Sequence, residues 1–123
     1  NFAAMLALLL MGPLCEASTQ AEKRHTLTNE ELKAAFVGKI LTEGAHWSAL
    51  LNPDGTIKAF QMGRSRKGRW KVQGNELCMS LPAGASFDCW SVIRRDTRYV
   101  FRAFGQELFE VTTRQPSAKN QLD

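Results

Sequence analysis

The chain opens with ten consecutive apolar residues, from Phe2 to Met11, followed by Gly12-Pro13 and a run of small residues. A helix needs about 20 apolar residues to span a bilayer, so this run is too short to cross one. Its length matches the apolar core of a secretory signal peptide, and Ala17 and Ala21 each offer a small-residue cleavage site. We therefore predict a signal peptide over 1–21 and a periplasmic or secreted protein of a Gram-negative cell.

Two alternatives to a cleaved signal peptide remain. The apolar run could be a buried N-terminal helix of the mature fold, although burial does not require the small residues that follow it. The protein could also be lipid-anchored through Cys15, but lipoprotein processing favours a small residue before the cysteine and Leu14 is bulky.

A short helix is predicted immediately after the polar lead-in. Thr28 stands three residues before Glu31, the spacing of a capping box, and Leu27 and Leu32 flank this pair at the spacing of a hydrophobic staple. The pattern predicts a helix over 29–37, which has to dock on another element to be stable.

The remaining apolar and polar positions alternate, which is typical of β-strands separated by turn residues. We predict about seven antiparallel strands in a small meander barrel, with a two-sheet sandwich as the alternative. This mainly β domain covers 22–114 and precedes a flexible tail over 115–123. The predicted strands are 46–51, 56–62, 69–73, 76–81, 87–94, 98–104 and 107–112, with 39–43 as a short additional one and 63–68 as a loop.

Two independent constraints set the register of two successive hairpins. A turn at Gly74-Asn75 sets the pairing of its two strands, and opposition of Cys78 and Cys89 sets the next pair. Removal of Cys15 with the signal peptide leaves this even pair in an oxidising compartment, so we predict a Cys78–Cys89 disulfide. Both constraints place the same residues on one apolar face: Trp70, Val72, Leu77, Met79 and Trp90.

Composition adds little to this picture except charge. The 123 residues are 44% hydrophobic and 23% charged, as expected of one globular domain. The net charge is +4, which favours weak attraction to anionic surfaces. The candidate anion contacts cluster in the predicted loop: Arg64, Arg66, Lys67 and Arg69. We favour the interpretation that these are solvated loop charges that oppose edge aggregation.

Arg102 is a separate candidate anion contact because it lies in an apolar strand, 98–104. If Val100 and Phe104 point inward, Arg102 is a buried cation that needs an anionic partner. If Tyr99 and Phe101 point inward, Arg102 is solvated, and we favour this second register.

No set of residues predicts catalysis or a cofactor. His25 and His46 are far apart and lack ligand-spaced neighbours, which predicts no metal site. The serines lie in no nucleophile motif, and Asp88 and Glu110 are candidate acids only because they lie on strands. We therefore predict a non-enzymatic monomer without a cofactor, which binds an unidentified small ligand or protein and not nucleic acid.

The motifs resemble a family of small exported Gram-negative proteins of unknown function. The segments that carry the resemblance are LTNEELKAAFVGK, NPDGTIKAF, GRWKVQGNELC and the later CW, within 27–111. A weaker likeness is to periplasmic metalloprotease inhibitors, small β-barrels with a Gly-x-Trp strand and one disulfide. Those act through a free N-terminal segment, which implies an alternative inhibitory role for Ser18–Thr26, although here a helix separates that segment from the barrel.

The first prediction concerns export. Cell fractionation should place the mature protein in the periplasm or the medium, and N-terminal sequencing should find a start near Thr19 or Glu22. A cytoplasmic protein that retains the whole apolar run would contradict it.

Overall fold

The fold is a closed antiparallel barrel with one short helix, as seen in a computed structural model that describes residues 25–117. The predicted signal peptide, Cys15 and the end of the predicted tail lie outside the described residues. Each strand pairs with the next along the chain, and β8 returns to pair with β1, so the barrel prediction is confirmed over the sandwich. The elements are α1 (Asn29–Phe36), β1 (Ile40–Thr42), β2 (Trp47–Leu51), β3 (Thr56–Gln61), β4 (Arg64–Gln73), β5 (Glu76–Ser80), β6 (Asp88–Arg95), β7 (Arg98–Ala103) and β8 (Gln106–Arg114).

Helix α1 begins with the predicted capping box. The Thr28 hydroxyl accepts from the Glu31 N–H at 3.3 Å, and the Glu31 carboxylate accepts from the Thr28 N–H at 2.9 Å. The hydrogen bond from the Thr28 N–H lowers the pKa of the Glu31 carboxyl group, and the hydrogen bond with the His25 side chain lowers it further. Because this pKa is lowered in the folded state, the ionised Glu31 stabilises the fold at pH values above the ordinary pKa of glutamate. This stabilisation is lost as the pH falls through the lowered pKa.

The helix closes one end of the barrel. Leu32 and Phe36 are completely buried and join the barrel core. The main chain just before the helix is held on β6, where the Leu27 N–H donates to the Val92 carbonyl at 2.9 Å.

A reciprocal side-chain pair fixes the start of the helix to the β4–β5 turn. The Asn29 N–H donates to the Asn75 side chain at 2.9 Å, and the Asn75 N–H donates to the Asn29 side chain at 2.7 Å. These two bonds join the helix to a turn 46 positions away in the chain.

The predicted register of both hairpins is confirmed. Trp70 pairs with Met79, Leu77 pairs with Trp90, and Cys78 pairs directly with Cys89. The disulfide joins the last pair on the outer face of the sheet. The core cluster inside the barrel contains thirteen buried residues: Leu27, Leu32, Phe36, Leu41, Ala49, Leu51, Ile57, Ala59, Leu77, Met79, Val92, Phe101 and Val111.

The prediction of a loop over 63–68 is wrong, because β4 begins at Arg64 and is the longest strand of the sheet. Met62 and Gly63 form the turn alone, with φ angles of 49° and 83°. The strand continues because all six residues of β3 pair with it, and the Lys67 carbonyl also accepts from Ala83. Backbone pairing therefore overrides a polar sequence that favours a loop.

We predict that the Cys78–Cys89 bridge forms in the mature protein and stabilises it modestly. The bridge closes a short loop, with a sequence separation of 11 residues. Changing both cysteines to serine should lower the free energy of unfolding by about 2–3 kcal/mol without abolishing the fold. Non-reducing peptide mapping tests whether the bridge forms, and chemical denaturation measures its contribution to stability. Two free thiols in the mature protein would contradict the prediction.

A third prediction concerns Gly68, where a Cβ atom would overlap the Leu81 side chain and the Ser80 carbonyl oxygen. Gly68→Ala should destabilise the protein by about 1–3 kcal/mol, since the tight packing has to open. Adding Leu81→Ala should not restore stability, because the main-chain oxygen of Ser80 remains in place. Denaturation curves test both variants, and full rescue by the double change would show that only side chains crowd this glycine.

Candidate functional site at the open mouth of the barrel

The end of the barrel opposite the helix is open and contains a cavity. Four connections surround it, at 43–46, 62–63, 81–87 and 104–105. The cavity has a volume of about 290 Å³, at the lower limit of small-molecule sites. We call it the cup, and its lining residues are Trp47, Ala49, Gln61, Met79, Leu81, Asp88, Trp90 and Phe109.

Aromatic rings connect the cup to the helix plug through the barrel interior. Phe109 meets Trp47 and Trp90 edge-on, with ring centroids 6.2 and 5.7 Å apart, and stacks on Phe101 at 4.8 Å. Phe101 in turn lies 5.9 Å from Phe36 of the helix. Edge-to-face and offset aromatic pairs of this kind stabilise a core beyond their buried area. The floor and walls of the cup are therefore tied to the plug by direct contacts.

The cup also contains polar groups that the described part of the protein leaves unused. The indole N–H of Trp70, at the closed end, donates to a main-chain carbonyl at 2.8 Å. Among residues 25–117, no acceptor is found for the indole N–H groups of Trp47 and Trp90, and the side chains of Gln61 and Asp88 have no hydrogen-bond partner. An apolar cavity with a few available polar groups is the usual composition of a ligand site.

The turns at the mouth carry large apolar residues where small polar ones are normal. Met62 and Phe104 have φ angles of 49° and 55°, and their side chains are 74% and 98% exposed. At the closed end the same backbone conformation is taken by Asn75 and Asp96. Asn, Asp and Gly are the residues that this conformation favours, and bulky residues rarely adopt it. The mouth turns thus depart from ordinary turn chemistry to display apolar side chains.

The predicted basic cluster is divided between two faces of β4. Arg64 and Arg66 pair with Gln61 and Ala59, so they share the inner face of the sheet, at the rim of the mouth. Lys67 alternates with them and lies on the outer face, as does Arg69. All four residues are exposed. Their role as anion contacts stays a prediction, but they do not form one surface.

Arg102 lies on the outer face, in the register that we favoured. Tyr99 and Phe101 point inward and contact Phe36. Arg102 is nevertheless half-buried, and its Nε atom is buried without a partner in the described part of the chain. Its role as an anion contact also stays a prediction.

The other basic residues of β6 and β7 are largely neutralised. Arg95 contacts the Glu107 carboxylate at 2.7 Å, which raises the pKa of the arginine, and also approaches Glu110 at 3.6 Å. Arg98 lies 3.5 Å from Glu110. Exposed pairs of this type contribute little to stability, but they cancel the positive field of this side of the barrel.

Each histidine contacts a nearby carboxylate. His25 lies 2.8 Å from Glu31 of the helix cap, and His46 faces Glu43, whose pKa is lowered chiefly by the His46 backbone N–H. No group of three or more His, Cys, Asp or Glu residues that could hold a metal occurs within 25–117. Over the same range, no helix has both the length and the apolar character needed to span a membrane.

Comparison with protein-family models, with curated proteins and with solved structures gave no match. The resemblance to small exported proteins therefore remains a prediction that depends on the motifs alone.

Sequence reasoning found part of the cup and missed the rest. The hairpin registers place Met79 and Trp90 on the inner apolar face. From the sequence, Asp88 is a candidate acid only because it lies on a strand, whereas its position opposite Met79 places it on the same inner face. Trp47 and Phe109 come from strands far apart in the chain, and only closure of the barrel brings them together.

Proposed function

We propose that this protein is a non-enzymatic exported binding protein that holds an apolar group of its ligand in the cup. The observation that carries the proposal is the asymmetry of the barrel interior: α1 fills it at one end, whereas the other end keeps an aromatic-walled cavity inside the barrel. The cleft beside α1, by contrast, lies between the helix and the outside of the barrel end. The predicted signal peptide and the Cys78–Cys89 bridge support a location in the periplasm or outside the cell.

The dimensions of the cup limit the size of the group that it can hold. Its volume of about 290 Å³ accommodates on the order of ten non-hydrogen atoms, since one water molecule occupies about 30 Å³. The aromatic walls favour an acyl segment or a flat ring, and the available groups of Gln61 and Asp88 suit a polar end that remains at the mouth.

The alternative role as a protease inhibitor receives no comparable support. Of the segment Ser18–Thr26, only the last two residues are described, and Thr26 forms an isolated β-bridge with Ile93. The inhibitory role therefore stays a prediction of the sequence.

A cavity-filling variant tests the proposed binding site. The neutral dye N-phenyl-1-naphthylamine becomes fluorescent in apolar surroundings, so a titration with the parent protein should give saturable binding. Ala49 is buried in the cup wall, and Ala49→Leu should weaken binding by about tenfold, equivalent to ~1.4 kcal/mol and within the range of overpacking costs.

The matched control is Ala34→Leu, which adds the same atoms at an exposed position of the helix, beside a separate surface cleft at the closed end. This variant should bind the dye like the parent. Equal binding by Ala49→Leu would place the dye elsewhere, and a parent protein that binds no dye would remove the support for an apolar site.

A further inference from the structure

The β3–β4 hairpin concentrates the positive charge of the protein. Between Thr56 and Gln73 the chain has six Lys or Arg residues and no Asp or Glu. This local charge exceeds the net charge of the whole chain, which is +4. The hairpin also carries the Met62 turn at the mouth, so charge and an exposed apolar tip occur in one element.

Four of these cations share the outer face of the hairpin: Lys58, Lys67, Arg69 and Lys71. We call this set the basic strip. Lys58 is directly opposite Lys67, and like charges in that position destabilise a sheet. None of the four has a carboxylate within ion-pair distance in the part of the chain that the structure describes.

The nearest acidic side chain does not neutralise the strip. Asp54 is close enough for Arg69 to contribute to its lowered pKa, but the main causes are the hydrogen bonds that Asp54 accepts from Thr56. On the opposite side of the barrel, in contrast, Arg95 and Arg98 contact carboxylates. Arg95 and Arg98 are also directly opposed, but Glu107 and Glu110 neutralise them. Within residues 25–117, the opposed pair Lys58 and Lys67 has no such carboxylate.

Exposed apolar side chains lie beside the strip and at the mouth. Phe60 is 38% exposed on the same outer face, two residues from Lys58, and Phe87 lies under the Lys71 ammonium at 4.3 Å. Met62 and Phe104 extend from two separate turns at the same end of the barrel. Cations adjacent to protruding apolar residues suit a surface that is anionic outside and apolar beneath.

We propose that the mouth end of this protein docks on anionic lipid surfaces. Met62 and Phe104 insert at the level of the headgroups, and Lys58 and Lys67, the two members of the basic strip nearer the mouth, contact the lipid phosphates. A soluble anion would use the charges but not the two apolar tips, whose backbone conformation is unfavourable for Met and Phe. Met62 and Phe104 break the residue preference of positive-φ turns, and Lys58 and Lys67 break the preference against opposed like charges. Such departures from the choices that favour folding are expected at functional surfaces.

The first test removes charge from the strip. Binding of the exported, processed protein to vesicles of equal parts phosphatidylglycerol and phosphatidylcholine is measured by co-sedimentation, with pure phosphatidylcholine as the neutral surface. The double variant Lys58→Gln, Lys67→Gln should bind roughly 30-fold more weakly, because each cation near an anionic membrane contributes about 1 kcal/mol to binding. The same variant should be at least as stable as the parent, because it removes a repulsive pair.

The matched control removes the same charge near the plug, through Lys33→Gln with Lys39→Gln. All variants are purified after export with the same processed N-terminus, so neither differences between variants nor binding to neutral vesicles arises from the apolar run. The control should bind the vesicles like the parent, apart from a small effect of net charge. Equal losses in both variants would show that net charge alone matters and would overturn the proposal.

The second test removes the apolar tips while improving the turns. Met62→Asn with Phe104→Asn supplies a residue that the positive-φ positions favour, so the fold should not suffer. Binding to the anionic vesicles should fall by about tenfold, because two exposed apolar side chains no longer insert. Unchanged binding would overturn the proposed orientation.

Other outcomes separate this proposal from its competitors. Equal affinity for neutral vesicles would exclude recognition of lipid charge, and tight binding of single-stranded DNA or heparin without vesicle binding would identify a soluble polyanion as the partner. Ala49→Leu should bind vesicles normally, since the proposal does not depend on the cup. Failure of dye binding and failure of vesicle binding are thus distinguishable.

Discussion

Closure of the sheet between its first and last strands is the constraint on which this structure depends. Only three residue pairs, Ile40–Thr42 with Thr112–Arg114, join β1 to β8. They remove both edges of the sheet, and an exposed edge is a template for aggregation. Closure also brings Trp47 of β2 against Phe109 of β8, so the same three pairs create the aromatic wall of the cup.

A closed barrel has to fill its interior, and this one does so from a single end. The eight-residue helix is too short to be stable alone. It is stabilised by burying Leu32 and Phe36 and by the reciprocal bonds between Asn29 and Asn75. Phe36, near the end of the helix, reaches Phe101 in the barrel interior. The cavity at the mouth is the space that a short plug leaves.

Local rules were enough to predict the helix cap, two hairpin registers and the disulfide. Thr28 with Glu31, and Cys78 opposite Cys89, express interactions between residues that are close in the chain or joined by one turn. The first half of β4 could not be predicted, because its polar residues are ordered by pairing with β3 and not by their own propensity. The cup could not be predicted either, since its walls meet only after closure.

The departures from those rules are concentrated at one end of the molecule. The closed end uses Asn75 and Asp96 in its positive-φ turns, which is the choice that folding alone would make. The mouth end uses Met62 and Phe104 in the same conformation. The adjoining hairpin places Lys58 opposite Lys67 without a carboxylate partner among the described residues, whereas the opposed Arg95 and Arg98 at the closed end contact Glu107 and Glu110. Stability explains the first end and does not explain the second. The proposed contact with an anionic lipid surface accounts for that difference, because such a surface would use the exposed apolar tips of the mouth together with the cations Lys58 and Lys67.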